Sequence, residues 1–596
     1  MSLTPESIFF GPADRRRFGW IHFPASGRAR AGLIVCNPFG YEAVCAHRSL
    51  RHFAEAAGSV GVAALRFDYD GTGDSAGGDR DPARVTAWVT SIHDAIDALR
   101  ARTGVDRVFL LGVRLGAALA VLSARDRRDV AGVVAFAPVV SGRAYLRELR
   151  ALQMSLGLAE APKGLAPGKD EREAVGFVLT AETQEAVGRI DLAKEPTAPA
   201  RKVLILERDD LPGPDAWAAA LDTAGTEVTR LRLPGYTSMV LDPHKTVVPD
   251  VVIRATTDWM ADALGTGTMP GSDLPASITS VAEARIHHGP HVLRERAVFL
   301  DDERRLFGIV TEANGDAPPA KAERASRLGI LLLNAGAVHH IGPNRLYVEM
   351  ARRWAALGHV VLRTDISGIG DSGARPGAAE NVVYSPHALA DVGAALAFLR
   401  GQPDVDRCLP VGLCAGAYHG FKAALDGLPV AAVLPINPLT FFWKEGMSLD
   451  YPAHKIVEEV QRYAESLFRL ASWRKLLAGK GRARMVAEVV ARHGASLLAR
   501  RVRDAARFMN HPLPDDLGHD LQVIARRHIP MHFVFAAGDP GQELLRIQGG
   551  STLPSLRRRG ELTVEEIDGP DHTFTAVWSH DVLVDRLTQI VRQVAR

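Results

Sequence analysis

The chain repeats itself, and this constrains its fold more than any other feature. Asn37 and Asn334, each closing an apolar run (LIVCNPFG and ILLLNAGA), stand 297 residues apart, as do Arg48 and Arg345, and Asp68 and Asp365. RFDYDGTGDS aligns with RTDISGIGDS, and LLGVRLGAALA with PVGLCAGAYHG, which sets Arg114 opposite Cys414. Matched segments in one order along 596 residues mean one fold present twice. Each copy passes from an apolar segment through a loop to an amphipathic helix. A second apolar segment follows, ending in an Asp/Gly turn, then a helix, a third apolar segment and a Gly-rich turn into another helix. Short buried strands alternating with helices predict βαβ units, a mostly parallel sheet and the α/β class.

The copies meet at LGTGTMPGSDLPASITS, whose Gly, Ser, Thr and Pro content is that of a linker. The expected organisation is a first domain over 1–264, a linker over 265–280 and a second domain over 281–596. The offset grows late in the repeat: His244 pairs with His572 at 328 residues, and the extra length falls between Asn437 and His528. Helical periodicity there predicts a cap inserted over the second sheet, residues 440–527, and a shorter one over the first, residues 140–198.

Composition excludes several function classes. Lys and Arg total 71 against 69 Asp and Glu, a net charge of +2, which leaves no global excess to hold nucleic acid or an anionic membrane. The 4 cysteines are too few and too irregularly spaced for a disulfide framework or a zinc cage. Free thiols, no signal-peptide pattern and no apolar run of about 18 residues predict a cytoplasmic protein without membrane insertion. His528 and His532 have metal-ligand spacing, but Pro530 breaks the helix they would need. No P-loop and no GxGxxG follow a first strand, so neither a metal nor a nucleotide cofactor is expected.

The chemistry concentrates at Gly412-Leu413-Cys414-Ala415-Gly416, a strand-to-helix turn with the nucleophile-elbow pattern GxCxG. Both halves resemble α/β-hydrolases of the serine aminopeptidase-like type. They are similar in particular to the paired hydrolases associated with exosortase A systems, through NPFG, RFDYDGTGDS, GVRLG and SGRAYLRELRAL in the first half and LLNAGAVHHIGPNRLY, SGIGDS and GLCAG in the second. The resemblance implies two tandem α/β-hydrolase folds and the triad order nucleophile, acid, histidine. Cys414, Asp539 and His572 occur in that order, with Asp568 and Asp571 as competitors for the acid. A thiolate is the attacking species, so the cysteine needs an imidazole beside it, and the imidazole needs a carboxylate to fix its tautomer. Backbone N–H groups of Ala415, Gly336 and Ala337 are the expected oxyanion hole. His339 and His340 follow that loop, which makes them candidates to face substrate or to sit on a surface loop.

In the first half the elbow centre is Arg114, which cannot act as a nucleophile. With His244 and Asp209 or Asp210 it forms an expected vestigial site, and Arg114 either pairs with one of those carboxylates or binds an anionic group. The related exosortase-associated proteins also carry Arg here, so the resemblance implies an old loss of the nucleophile. The predicted function is acyl transfer through a cysteinyl thioester, as an acyltransferase or thioesterase. Ten basic residues against two acidic ones between Arg474 and Arg507 suggest an acyl group carried on coenzyme A or an acyl carrier protein. Phe441, Phe442, Trp443, Tyr451, Tyr463, Phe468 and Trp473 are available to line an acyl pocket or to bury the cap. The alternative is a non-catalytic binding or scaffold protein with two vestigial sites.

Overall fold

The computed structural model describes all residues except 1–3, 166–167, 169, 195–197, 266–271, 275–281, 315–326, 445, 448 and 450–512. The chain forms two compact units, one from 1–324, 337–382 and 574–585, the other from 325–336, 383–573 and 586–596.

The first unit contains an eight-stranded sheet in the order Glu6–Phe10, Arg17–His22, Val62–Phe67, Ala31–Cys36, Val108–Val113, Val130–Phe136, Lys202–Glu207 and Glu227–Arg232. The first two strands form an antiparallel hairpin that adds antiparallel to Val62–Phe67, and the remaining six strands run parallel. The central strands read as unbroken apolar runs because helices bury them on both faces. Ile34, Leu110 and Val133 pack with Trp88, Ile92 and Leu119 on one face. Leu33, Leu111 and Val134 pack with Leu50, Phe53 and Met260 on the other. Within the predicted cap at 140–198, helices Gly142–Ser155 and Ala181–Gly188 flank a two-stranded hairpin, Arg172–Ala174 with Phe177–Leu179, so the insertion is not purely helical. The described piece of the predicted linker, Ser272–Asp273, pairs antiparallel with Arg28–Ala29.

The compact units divide the chain differently from the sequence repeat, and buried charge gives the reason. Arg66 pairs with Asp371 at 2.7 Å, and Arg363, its counterpart 297 residues on, pairs with Asp74. His340 lies between Asp365 and Asp74, with each ring nitrogen 2.7 Å from a carboxylate oxygen. Phe18 stacks on Phe307 at 6.2 Å. These reciprocal contacts tie 337–382, and the antiparallel strands Glu283–His288, His291–Phe299, Phe307–Ala313 and Val360–Thr364, to the first half.

The second unit holds five parallel strands in the order Leu328–Leu333, Arg407–Leu413, Leu434–Ile436, Met531–Ala536 and Leu562–Ile567. Helices Ala388–Arg400, Ala415–Asp426, Pro540–Gly549 and Thr552–Arg558 accompany them. Helix Leu517–Arg526 belongs with this set: Arg527 at its end donates to the Ala424 carbonyl at 2.7 Å, and Gln522 reaches Thr552 at 3.2 Å. Of the predicted cap at 440–527, most of the span, with the basic tract 474–507 and Tyr451, Tyr463, Phe468 and Trp473, lies outside the described residues. Among the described residues no helix is long and apolar enough to cross a membrane.

Candidate active site

Cys414 stands between strand Arg407–Leu413 and helix Ala415–Asp426 with φ 58° and ψ −113°. A non-glycine residue there stores roughly 1–3 kcal/mol of strain, and it persists only where the surroundings over-determine it. The flanking glycines do so. A Cβ on Gly412 would lie 2.3 Å from the Gly416 carbonyl carbon, and one on Gly416 would lie 2.5 Å from the Leu333 carbonyl oxygen. The Cys414 backbone N–H closes the turn on the Ile436 carbonyl at 2.9 Å. Ala415 heads the helix, where N–H groups have no intrahelical acceptor and a partial positive charge gathers.

Cys414 is half-buried, whereas Cys36, Cys45 and Cys408 are buried. Burial pushes the Cys45 thiol up to about 12 and the Cys408 thiol up to about 11. Those thiols are held protonated by the core.

Asp539 follows strand Met531–Ala536 and caps helix Pro540–Gly549, with Oδ1 accepting from the Gly541 N–H at 2.8 Å. Its other oxygen is 2.6 Å from Nδ1 of His572. The Asp539 side chain is 1% exposed against 27% for His572, so the imidazole keeps one open edge. Nε2 is buried and makes no hydrogen bond of ordinary geometry. Burial alone would lower the His572 pKa, but the hydrogen bond to Asp539, the proximity of Cys414 and the negative charges of both push it up to about 10. The unit thus brings His572 against Asp539, with Cys414 close enough to the ring to raise its pKa.

A residue the sequence did not single out holds the histidine. Asn437 is fully buried at φ 44°. Its Nδ2 donates to the His572 carbonyl at 2.7 Å and its Oδ1 accepts from the Ala536 N–H at 2.9 Å, fastening the histidine loop to the strand that delivers Asp539. The available signal was its register: it stands 300 residues after Ala137, which also has positive φ, at 48°.

The remaining predicted residues divide. Gly336, at φ 61° with open space where a Cβ would project, belongs to the same unit as Cys414. Ala337 opens the 337–382 segment of the first unit, which also contains His339 and His340. His340 is fully buried with both nitrogens on carboxylates, so it has no group left for a substrate; the expectation that it faces substrate is corrected on that ground. His339 is buried and stacks on His47 at 3.9 Å; desolvation and the neighbouring imidazoles hold its pKa well below the ordinary value. Trp443 stacks on Tyr384 at 4.2 Å. His340, Asp365 and Asp371 cluster like metal ligands, but Asp74, Arg66 and His47 already occupy their polar atoms.

The first-half elbow has the same backbone, with Arg114 at φ 53° and ψ −119° and its N–H on the Phe136 carbonyl at 3.0 Å. Its guanidinium does not pair with Asp209 or Asp210: Asp210 is exposed and bound by Arg208 at 2.6 Å. Arg114 instead meets Glu42 at 2.9 Å and Glu148 at 2.6 Å, with Tyr145 and Tyr236 rings 5.3 and 5.6 Å away. Both tyrosine hydroxyls donate to Glu42, at 3.1 and 2.7 Å. A closed ionic network therefore fills the place of a nucleophile. His244 lies in the short turn Pro243–Lys245.

The family profile of serine aminopeptidase S33 matches residues 31–175, the segment around the Arg114 elbow. No curated protein matches the chain. Among solved structures, Est1E from Butyrivibrio proteoclasticus is 17% identical, covering 44% of this chain and 99% of its own, with a TM-score of 0.33. A proline iminopeptidase from Mycobacterium smegmatis is 14% identical, with coverage of 44% and 99% and a TM-score of 0.31. A thermostable carboxyl esterase from Bacillus coagulans, solved with glycerol, is 15% identical, with coverage of 44% and 100% and a TM-score of 0.32. At these values no activity or residue role passes to this chain. The profile match and the two strand–elbow–helix turns give the fold class expected from the repeat: tandem α/β domains of the hydrolase type.

Proposed function

We propose that the second unit transfers acyl groups through a thioester on Cys414, with His572 as its proton carrier and Asp539 as the group that orients and charges His572. The observation that carries this reading is the 2.6 Å bond from Asp539 to Nδ1, which leaves Nε2 for the sulfur at a strained elbow. An imidazolium beside the sulfur stabilises the thiolate, the attacking form. The sulfur lone pair forms a C–S bond to the substrate carbonyl while the carbonyl π pair moves onto oxygen. Collapse re-forms the carbonyl, and the leaving group departs with the proton from Nε2. Acylation removes the sulfur's charge, one of the supports that raise the His572 pKa, so the neutral ring then accepts a proton from an incoming water, amine or alcohol.

A thioester donor suits a sulfur nucleophile because the exchange is nearly isoenergetic. The basic tract from Arg474 to Arg507 favours an anionic carrier, coenzyme A or a phosphopantetheinylated protein. The first-half elbow is non-catalytic in this reading, because Arg114 and its carboxylates occupy it. The test is intact-protein mass spectrometry of the wild type and Cys414→Ala after exposure to a panel of acyl thioesters. An acyl mass on the wild type alone supports the reading; an adduct retained by Cys414→Ala, or none on the wild type, refutes it.

A further inference from the structure

We propose that Tyr384 is a catalytic residue whose phenol O–H donates to the acyl oxygen as the carbonyl is attacked at Cys414, a side-chain donor alongside the backbone ones. The inference rests on reading Cys414 as the nucleophile and adds a residue to its site.

Tyr384 is pinned against the helix that Cys414 begins. The carbonyl of Val383 bonds to Nε2 of His419 at 3.0 Å. The Tyr384 ring packs edge-on against Tyr418 at 5.1 Å, and Tyr418 lies one turn along the helix, its N–H 3.4 Å from the Cys414 carbonyl. Trp443 closes the other face, its ring 21° from parallel. These contacts need only an aromatic ring, and phenylalanine would supply them.

The hydroxyl is what needs explaining. Tyr384 is 6% exposed, and among the described residues its buried oxygen has no hydrogen-bond partner. Buried polar groups are paired in the great majority of cases, and an unpaired one opposes folding. A buried phenol, unpaired among the described residues and packed against the first turn of the helix that Cys414 begins, acquires its acceptor when a substrate arrives. Burial, followed by the negative charges of Cys414 and Tyr418, holds the phenol well above its ordinary pKa, so it keeps its proton and remains a donor.

During attack the C–S bond forms, the π pair becomes an oxyanion, and Tyr384 O–H shares its proton with that oxygen without losing it. When the carbonyl re-forms, the leaving thiol takes the proton of His572 and the phenol is unchanged. Alkylation of the same sulfur by iodoacetamide displaces iodide at a saturated carbon and generates no oxyanion, so it provides the control.

The experiment compares the full-length wild type and Tyr384→Phe in two reactions: acylation of Cys414 by the butyryl thioester of N-acetylcysteamine, followed by mass spectrometry, and alkylation by iodoacetamide as a function of pH. The expected result is acylation slowed on the order of 100-fold, with the alkylation rate and pH profile within twofold of wild type. The unchanged alkylation also shows that the variant site is folded. Equal acylation rates would overturn the inference, as would a parallel fall in both reactions, which would mean that the hydroxyl serves the fold or the thiolate. A wild type that alkylates but never acylates would refute the acyl-transfer reading itself, whereas an acylating wild type with an unaffected Tyr384→Phe would refute only the role of the phenol.

Discussion

Asn437→Ala is the substitution whose outcome the geometry fixes most fully. It removes the donor to the His572 carbonyl at 2.7 Å and the acceptor of the Ala536 N–H at 2.9 Å. The Ala536 N–H is left buried and unpaired, worth about 1–3 kcal/mol, and the less buried His572 carbonyl adds about 0.5–1.5 kcal/mol. Alanine is also held at φ 44°, which asparagine tolerates better, for roughly 1 kcal/mol more. A loss of about 3 kcal/mol lowers the melting temperature of a unit of about 200 residues by about 6–12 °C. Function should fall as well, because a His572 ring displaced by an ångström costs about 100-fold in rate. The assay is a calorimetric scan of the full chain together with the rate of Cys414 acylation. Asn437→Gly, which relieves the backbone term alone, should recover about 1 kcal/mol of stability and none of the rate. An Asn437→Ala variant that melts and acylates like the wild type would refute the account of how His572 is held.

Gly416→Ala places a Cβ 2.5 Å from the Leu333 carbonyl oxygen, a backbone atom that cannot swing aside, so it should destabilise the second unit by about 1–3 kcal/mol and slow Cys414 acylation more than its melting shift explains. Arg114→Ala leaves Glu42 largely buried without its cation and should lower the melting temperature of the first unit, by an amount equivalent to about 3 kcal/mol, while leaving Cys414 acylation at the wild-type rate. The His572 pKa is raised from 6.5 to about 10, so the stability its charged form contributes is complete below about 6.5 and is lost as pH climbs to about 10. Scans between pH 6 and 10 should show this decline in the wild type and not in His572→Ala.

The fold, and the turns and strand ends on which Cys414, Asp539 and His572 stand, were legible because they depend on local pattern. An elbow is a five-residue statement, since two glycines and a strand-to-helix switch suffice to place Cys414. Asp539 and His572 follow from where strands end. Asn437 was not legible as a support, because its partners at 536 and 572 lie 99 and 135 residues away and no periodicity links them. Tyr384 was missed for a similar reason: its ring is fixed by Tyr418 and Trp443 on other elements. The pairing of Arg114 was misjudged because strand-end position favoured Asp209 or Asp210, whereas Glu42, on the helix after the Asn37 loop, reaches the guanidinium. The burial of His340 was not legible, because its two carboxylate partners come from different repeats, Asp74 and Asp365.

The most direct test of the central claim, that His572 activates the elbow thiol, is the rate of alkylation of each cysteine by iodoacetamide at pH 7, followed by peptide mapping in the wild type and His572→Ala. Cys414 should react at least about tenfold faster in the wild type than in the variant, with Cys36, Cys45 and Cys408 protected in both. Equal rates at Cys414 in the two proteins, or a core thiol reacting first, would contradict the claim.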